Sequence, residues 1–461
     1  MGGQTCSKLA KLAFIMTNLN LWLSQTQFFL SLSFFSIFLA IEIGLAWVLL
    51  FFKIGASFSA RAGWTDAYRF WVRVFALAVI LTLASSMPVL IQVGSLWPAL
   101  MDKIGDVAGP LLAGAILTTF IFKSCFLGAM LFGQRYVSER IHTVLVLMVA
   151  VGVTAAAGWL TVLLAWMQAP AGALLVDGQY AAVEWGDIVL NPFAGWMFGL
   201  LLVVAALTAA FLLMGVSVRQ AFRHPLVEGE HLAFRTGLFA AMAGVVALAV
   251  AVAGYGQQVA LHQPGKAAAT AAYWHSGVQP DLVLAAWPDQ ARGVNHAALL
   301  WHHAGGRWLS HDDKGVPIGL DRISGMAPPV ALTFWSFRLV LAAWLAMAVL
   351  AWGTFWRLRK RQYDPGVLSE TWRRIVAGMT FSGWVLGLAI MCHMLFGLAP
   401  YAVNGAITLA EIVGDTSPNV LMAGLAAYVL VYAVLLYGFF QLLTHIVRYG
   451  VVPIARRRGR A

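Results

Sequence analysis

Apolar residues in this chain come in nine long runs separated by short polar stretches. The runs lie near 22–52, 74–95, 108–133, 142–168, 190–216, 236–255, 330–356, 375–400 and 420–447, each bounded by charge, Pro or Gly. Each is roughly 20 residues or longer, enough to cross ~30 Å of hydrocarbon as a helix. The pattern predicts an all-α polytopic membrane protein of nine transmembrane helices. An odd number of spans puts the two termini on opposite sides.

Composition agrees. Hydrophobic residues make up 61% of the chain and charged residues only 11%, against about 25% charged in soluble domains. Length therefore counts helices here, not soluble domains. The net charge of +11 would suggest nucleic acid in a soluble protein. Topology accounts for it better, and no nucleic-acid partner is expected. One set of alternate connections carries Lys53, Arg61, Arg69, Arg73, Arg135, Arg140, Arg219, Arg223 and Arg235. It continues with Arg357, Arg359, Lys360, Arg361, Arg373 and Arg374, and ends in Arg448, Arg456, Arg457, Arg458 and Arg460. The short segments of the other set hold Lys8, Lys11 and Lys103. The positive-inside rule then sets the N-terminus outside and the C-terminus in the cytoplasm of a bacterial inner membrane.

The divisions that follow are an N-terminal extension over 1–21, helices one to six over 22–255, an outer segment over 256–329, helices seven to nine over 330–447 and a basic cytoplasmic tail over 448–461. The apolar stretch Leu9–Met16 is short and lacks a cleavage site, so it reads as extension and not as a removed signal. Cys6, Cys125 and Cys392 form no CxxC or CxxCH, which argues against zinc ribbons and covalently attached c-type haem. The outer segment between helices six and seven is long for a connection, and such loops are usually functional or small subdomains. Its histidines, His262, His275, His296, His302, His303 and His311, fit no metal-ligand spacing and read as solvated or structural.

Several strings, in order along the chain, carry a resemblance. They are Leu23-Ser24-Gln25-Thr26-Gln27-Phe28 in helix one, Gly105-Asp106 before helix three and Trp166-Met167-Gln168 closing helix four. Leu190-Asn191-Pro192 opens helix five, and Phe334-Trp335-Ser336-Phe337-Arg338 opens helix seven. The outer segment adds Lys266, Trp274, Pro288-Asp289-Gln290 and Ile318-Gly319-Leu320. Together with the nine spans they resemble subunit I of the cytochrome bd quinol oxidase family. That resemblance implies the family's helical bundle, a quinol loop between helices six and seven, three haems and a second membrane subunit.

The family's haem ligands do not carry over. The histidine of helix one falls on Phe35, the two carboxylates of helix three on Ala115 and Lys123, and the histidine of helix five on Leu200. The methionine of helix seven falls on Val340 and the carboxylate of helix eight on Leu395. A Gly-Arg-Gln-Pro-Trp string survives only as Gly397-Leu398-Ala399-Pro400-Tyr401. In the loop Lys266 is kept, while its acidic partner falls on Ala271. Phe, Leu, Val and Ala offer no lone pair to iron, and Lys123 enters as an ammonium.

Five further features carry candidate chemistry. Counted at 1.5 Å per residue, Lys123 lies roughly 22 Å and Glu42 roughly 30 Å from the outer ends of their helices. An unpaired charge there is costly, so the two read as a proton or ion relay, as a structural ion pair across adjacent helices in the space of a lost haem, or as the product of a shifted helix register. His393, deep in helix eight, is either a relocated haem ligand or hydrogen-bonded to a backbone carbonyl. Arg338 either faces a haem propionate or snorkels to the interface. Lys266, with Trp274, is a quinol-loop candidate in a solvated loop. His142 and His445 sit at inner helix ends, the first against lipid phosphate and the second against a helix C-terminus. The leading expectation is a diverged subunit that binds no haem, partnered by lipid and a second membrane subunit of a respiratory complex. The alternatives are an active quinol oxidase, with haem b on rearranged ligands and quinone as substrate, and a proton- or ion-conducting module.

Overall fold

The structure is a computed structural model that describes residues 2–59, 61–277, 280–323 and 326–450. Residues 451–461, most of the basic tail, lie outside the described residues. Among the described residues nine helices are long and apolar enough to span a membrane: Asn18–Phe58, Ala62–Leu96, Pro98–Phe132, Glu139–Gln168, Trp185–Ala221, Glu228–His262, Val330–Leu358, Glu370–Leu398 and Pro418–Tyr449. They are called helices one to nine below. The backbone is helical from Gly2, so residues before Asn18 continue helix one.

Most helices run past their apolar windows by one to three turns. Helix two begins at Ala62, not near 74, so Arg69 and Arg73 lie on it and not in a loop. The added turns have local causes. Ser138 caps helix four by accepting from the Ile141 amide at 3.4 Å, with Glu139 in the first turn complementing the helix dipole. Ser369 does the same for the Trp372 amide ahead of helix eight. Pro98 and Pro418 start helices three and nine, where a missing N–H costs nothing.

Helices one and five are buried over most of their apolar length and form the centre of the bundle, while little of the apolar length of helices three and nine is buried. The central pair packs closely. A Cβ on Gly44 would lie 2.2 Å from the Ala205 carbonyl oxygen, so only glycine admits this approach. Beside them Phe34 and Phe38 of helix one meet Trp384 of helix eight and Tyr432 and Phe439 of helix nine. Their centroid separations run from 4.4 to 5.5 Å (Phe34–Tyr432 4.4 Å, Phe38–Phe439 5.0 Å, Phe38–Trp384 5.5 Å). Helix three carries one irregularity, a π-helical stretch at Ile121–Leu127.

The long connection between helices six and seven is partly ordered into secondary structure. A short helix, Pro264–Ala271, turns back immediately after helix six. The strands Leu282–Asp289 (β1) and Val294–Trp301 (β2) pair antiparallel, with Leu282 opposite Trp301 and Asp289 opposite Val294. Two of the described loop histidines sit against carboxylates, His296 on Asp289 at 3.4 Å and His302 on Asp281 at 3.1 Å. Among the described residues no three His, Cys, Asp or Glu side chains converge on a metal position.

Candidate functional sites at mid-membrane and at the loop end

Glu42 of helix one is fully buried, and its Oε1 lies 2.8 Å from Nζ of Lys123 on helix three. Lys123 falls within the π-helical stretch. A π-turn changes the direction of the side chains it carries, and such bulges recur at functional positions. Among the described residues neither Glu42 oxygen receives a well-directed hydrogen bond, so the contact with Lys123 is one of charge. Nearer the opposite end of the bundle Lys53, counted above among the loop charges, is buried and ion-paired with the exposed Glu139. Its ammonium lies 5.4 Å from the Tyr68 ring centre.

The loop end holds a second polar cluster. Lys266 was expected in a solvated loop; it is instead 2% exposed. The turn of the short helix drives its side chain inward between helices four, six and eight. Its ammonium donates to the Tyr255 hydroxyl at 2.6 Å, to Gln168 Oε1 at 3.3 Å and to the Met394 carbonyl at 3.5 Å. Gln263 Nε2 donates to Gln168 Oε1 at 2.8 Å and to the Gln168 carbonyl at 2.9 Å. The lysine stem lies on Gly397, where an added Cβ would come within 2.7 Å of its Cε. Burial without a carboxylate partner lowers the Lys266 pKa to about 7.

Two other expectations change, those for Arg338 and His142, while His393 meets a backbone carbonyl, one of its two readings. Arg338 does not snorkel. Its guanidinium donates to the Thr270 carbonyl, to Val283 at 2.5 Å and to Leu284 at 3.4 Å, and stacks 3.6 Å from the Phe334 ring centre. Those carbonyls take up its donors and tie the loop to helix seven. His142 does not reach lipid: it is buried, with Nε2 2.9 Å from the Met130 carbonyl. His393 is buried, with Nδ1 3.3 Å from the Thr333 carbonyl and its ring against Phe337. Trp274 donates to Asn295 at 2.9 Å within the loop, and His445 packs on Tyr449 near the end of helix nine.

Tyr255, Gln168 and Gln263 escaped the sequence reading. From the sequence Gln168 reads only as the end of a helix, and Tyr255 and Gln263 have no spacing that marks them as lysine and glutamine partners.

The resemblance carries the family's haem ligands onto six positions, and none of the six bears a side chain the family uses to hold iron. Leu200 and Val340 are buried within one apolar cluster, Phe35 lies beside the aromatic group of Phe34 and Phe38, and Lys123 is engaged by Glu42. The donor set of Phe35, Ala115, Lys123, Leu200, Val340 and Leu395 does not fit three haems bound in the resembled way.

Comparison with known proteins agrees with the fold. A family model described as cytochrome bd terminal oxidase subunit I matches residues 23–451. Cytochrome bd ubiquinol oxidase subunit 1 of Bacillus subtilis is 24% identical over 430 residues, covering 90% of this chain and 89% of that protein. Cytochrome bd-II ubiquinol oxidase subunit 1 of Escherichia coli is 26% identical over 339 residues, covering 72% of this chain and 64% of its own length. The structure of bd oxidase from Geobacillus thermodenitrificans superposes with a TM-score of 0.83 at 20% identity, covering 93% of this chain and 98% of that one.

Proposed function

This multi-pass chain belongs to the cytochrome bd terminal oxidase subunit I family, and from that premise we propose that it is a haem-free member serving as a partner subunit of a respiratory membrane complex. The observation that carries the reading is the Glu42–Lys123 contact. Where the family places a carboxylate, this chain places an ammonium and supplies its counter-charge from helix one. Such a pair occupies the interior of the bundle without a metal. The loop-end lysine has a structural part in this reading, because its hydrogen bonds are spent inside the protein.

A second subunit is part of the proposal. The relatives are named as subunits of an oxidase. Helices three and nine present long apolar faces that the described residues leave largely uncovered. Solubilised in mild detergent, the tagged chain should migrate with a second multi-pass protein in native gels. Migration as a lone chain in every mild detergent tried would remove the partner role.

The orientation proposed is N-terminus outside and C-terminus cytoplasmic, in a bacterial inner membrane, on the distribution of Lys and Arg. A reporter that works only in the cytoplasm should be active after residue 450. One that works only outside should be active near residue 300. The reverse pattern would invert the topology.

A further inference from the structure

We infer that the β1–β2 hairpin lies in the interfacial layer of the bilayer as a flap that rests on lipid headgroups, and does not project into bulk water. The inference concerns membrane contact alone and holds with or without haem.

Its first support is depth. At the turn of the hairpin, Gln290 donates to the Pro328 carbonyl at 3.2 Å and accepts from the Val330 amide at 3.1 Å. The turn therefore sits level with the start of helix seven. At the other end of β1, the Val283 and Leu284 carbonyls are held by Arg338, which lies about 12 Å further along the helix at 1.5 Å per residue. An arginine side chain spans roughly half that distance, so β1 descends alongside the first turns of helix seven. The register carries Leu299, Leu300 and Trp301 of β2 down with it, opposite Ala285, Val283 and Leu282. Beyond the strand, the Trp308 ring meets the helix-six backbone at Gly256, where an added Cβ would lie 3.5 Å from the ring. Gly256 is roughly 9 Å inside the end of that helix.

The second support is polarity. The shallow end, Asp289 to Asn295, is mostly polar and charged, while β2 toward the deep end carries Leu299, Leu300 and Trp301 before the strands close on the Asp281–His302 pair. Trp301 is 64% exposed and Leu299 60%, and Trp287 midway is 69% exposed. On the first turns of helix seven Trp335 and Leu339 are exposed as well. Exposed indoles at the ends of spanning helices are the signature of a membrane–water interface. Arg307, exposed beside Trp308, adds a cation suited to lipid phosphate.

The test places a polarity-sensitive fluorophore on single cysteines at Trp301→Cys, Leu299→Cys and Arg292→Cys, in a background with Cys6, Cys125 and Cys392 changed to serine. The protein is reconstituted in nanodiscs of phosphatidylethanolamine and phosphatidylglycerol. Lipids brominated near the headgroup should quench the probes at 299 and 301 several-fold more than the probe at 292, and aqueous iodide should show the reverse order. Two deep positions guard against one variant failing to fold. Equal iodide quenching at all three sites would overturn the inference in favour of a solvated hairpin. Protection of 299 and 301 from both quenchers would overturn it in favour of a covering protein.

Discussion

Glu42→Gln and Lys123→Met should each destabilise the detergent-solubilised protein by about 3–5 kcal/mol, the usual cost of stripping one partner from a buried ion pair. The double substitution should recover most of that loss. Glu42 is fully buried and Lys123 nearly so, so either charge left alone has no water to solvate it. Among the described residues no group offers Glu42 a well-directed hydrogen bond to fall back on. With both charges gone, an amide and a thioether fill similar volume and nothing ionic is buried. Thermal melts of the four proteins form a double-mutant cycle, and residues in contact give a coupling of roughly 0.5–3 kcal/mol or more. Strictly additive losses would mean that the charges do not support each other, and the proposed replacement of a haem ligand by an ion pair would fall with them.

Lys266 should impose a pH dependence on stability that Lys266→Met abolishes. Its pKa is about 7 in the folded protein, against ~10.4 for an unfolded lysine. Between those values the unfolded chain holds a proton that the native chain has released, so stability rises with pH across that window. The penalty of a buried ammonium is fully present below about pH 7 and is relieved by about pH 10. Its full size is about 5 kcal/mol at ~1.4 kcal/mol per pH unit. Melting temperature should therefore climb between pH 7 and 10 in the parent and stay flatter in Lys266→Met. The variant gives back part of its gain because Tyr255 and Gln168 lose a partner, a cost of order 1–3 kcal/mol. Identical slopes in the two proteins would show that the lysine keeps its charge in a wetter site than the structure describes.

How much of this was legible in the sequence depends on how local each signal is. Hydrophobic runs are local, and they yield nine helices directly. Helix ends are less so: Arg69 and Arg73 look like loop charges because the first turns of helix two extend past its apolar window. Depth along a helix can be counted from sequence, and the count leaves Glu42 and Lys123 within reach of each other. The π-helical stretch that carries Lys123 has no residue signature in Ile121–Leu127. Lys266 was misjudged because its burial depends on Gln168, Tyr255 and Met394, three residues that the chain brings together from three helices. Arg338 was misjudged for a related reason. Its partners are backbone carbonyls, and every residue type presents the same carbonyl.

The central claim, that this family member holds no haem, is tested most directly by pyridine haemochrome quantitation and an absorption spectrum of the purified chain. With Phe35, Ala115, Lys123, Leu200, Val340 and Leu395 at the inherited ligand positions, the account predicts no stoichiometric haem b and no haem d. A Soret band that scales with protein and disappears in His393→Ala would contradict it, and would identify His393 as the ligand of a rearranged oxidase.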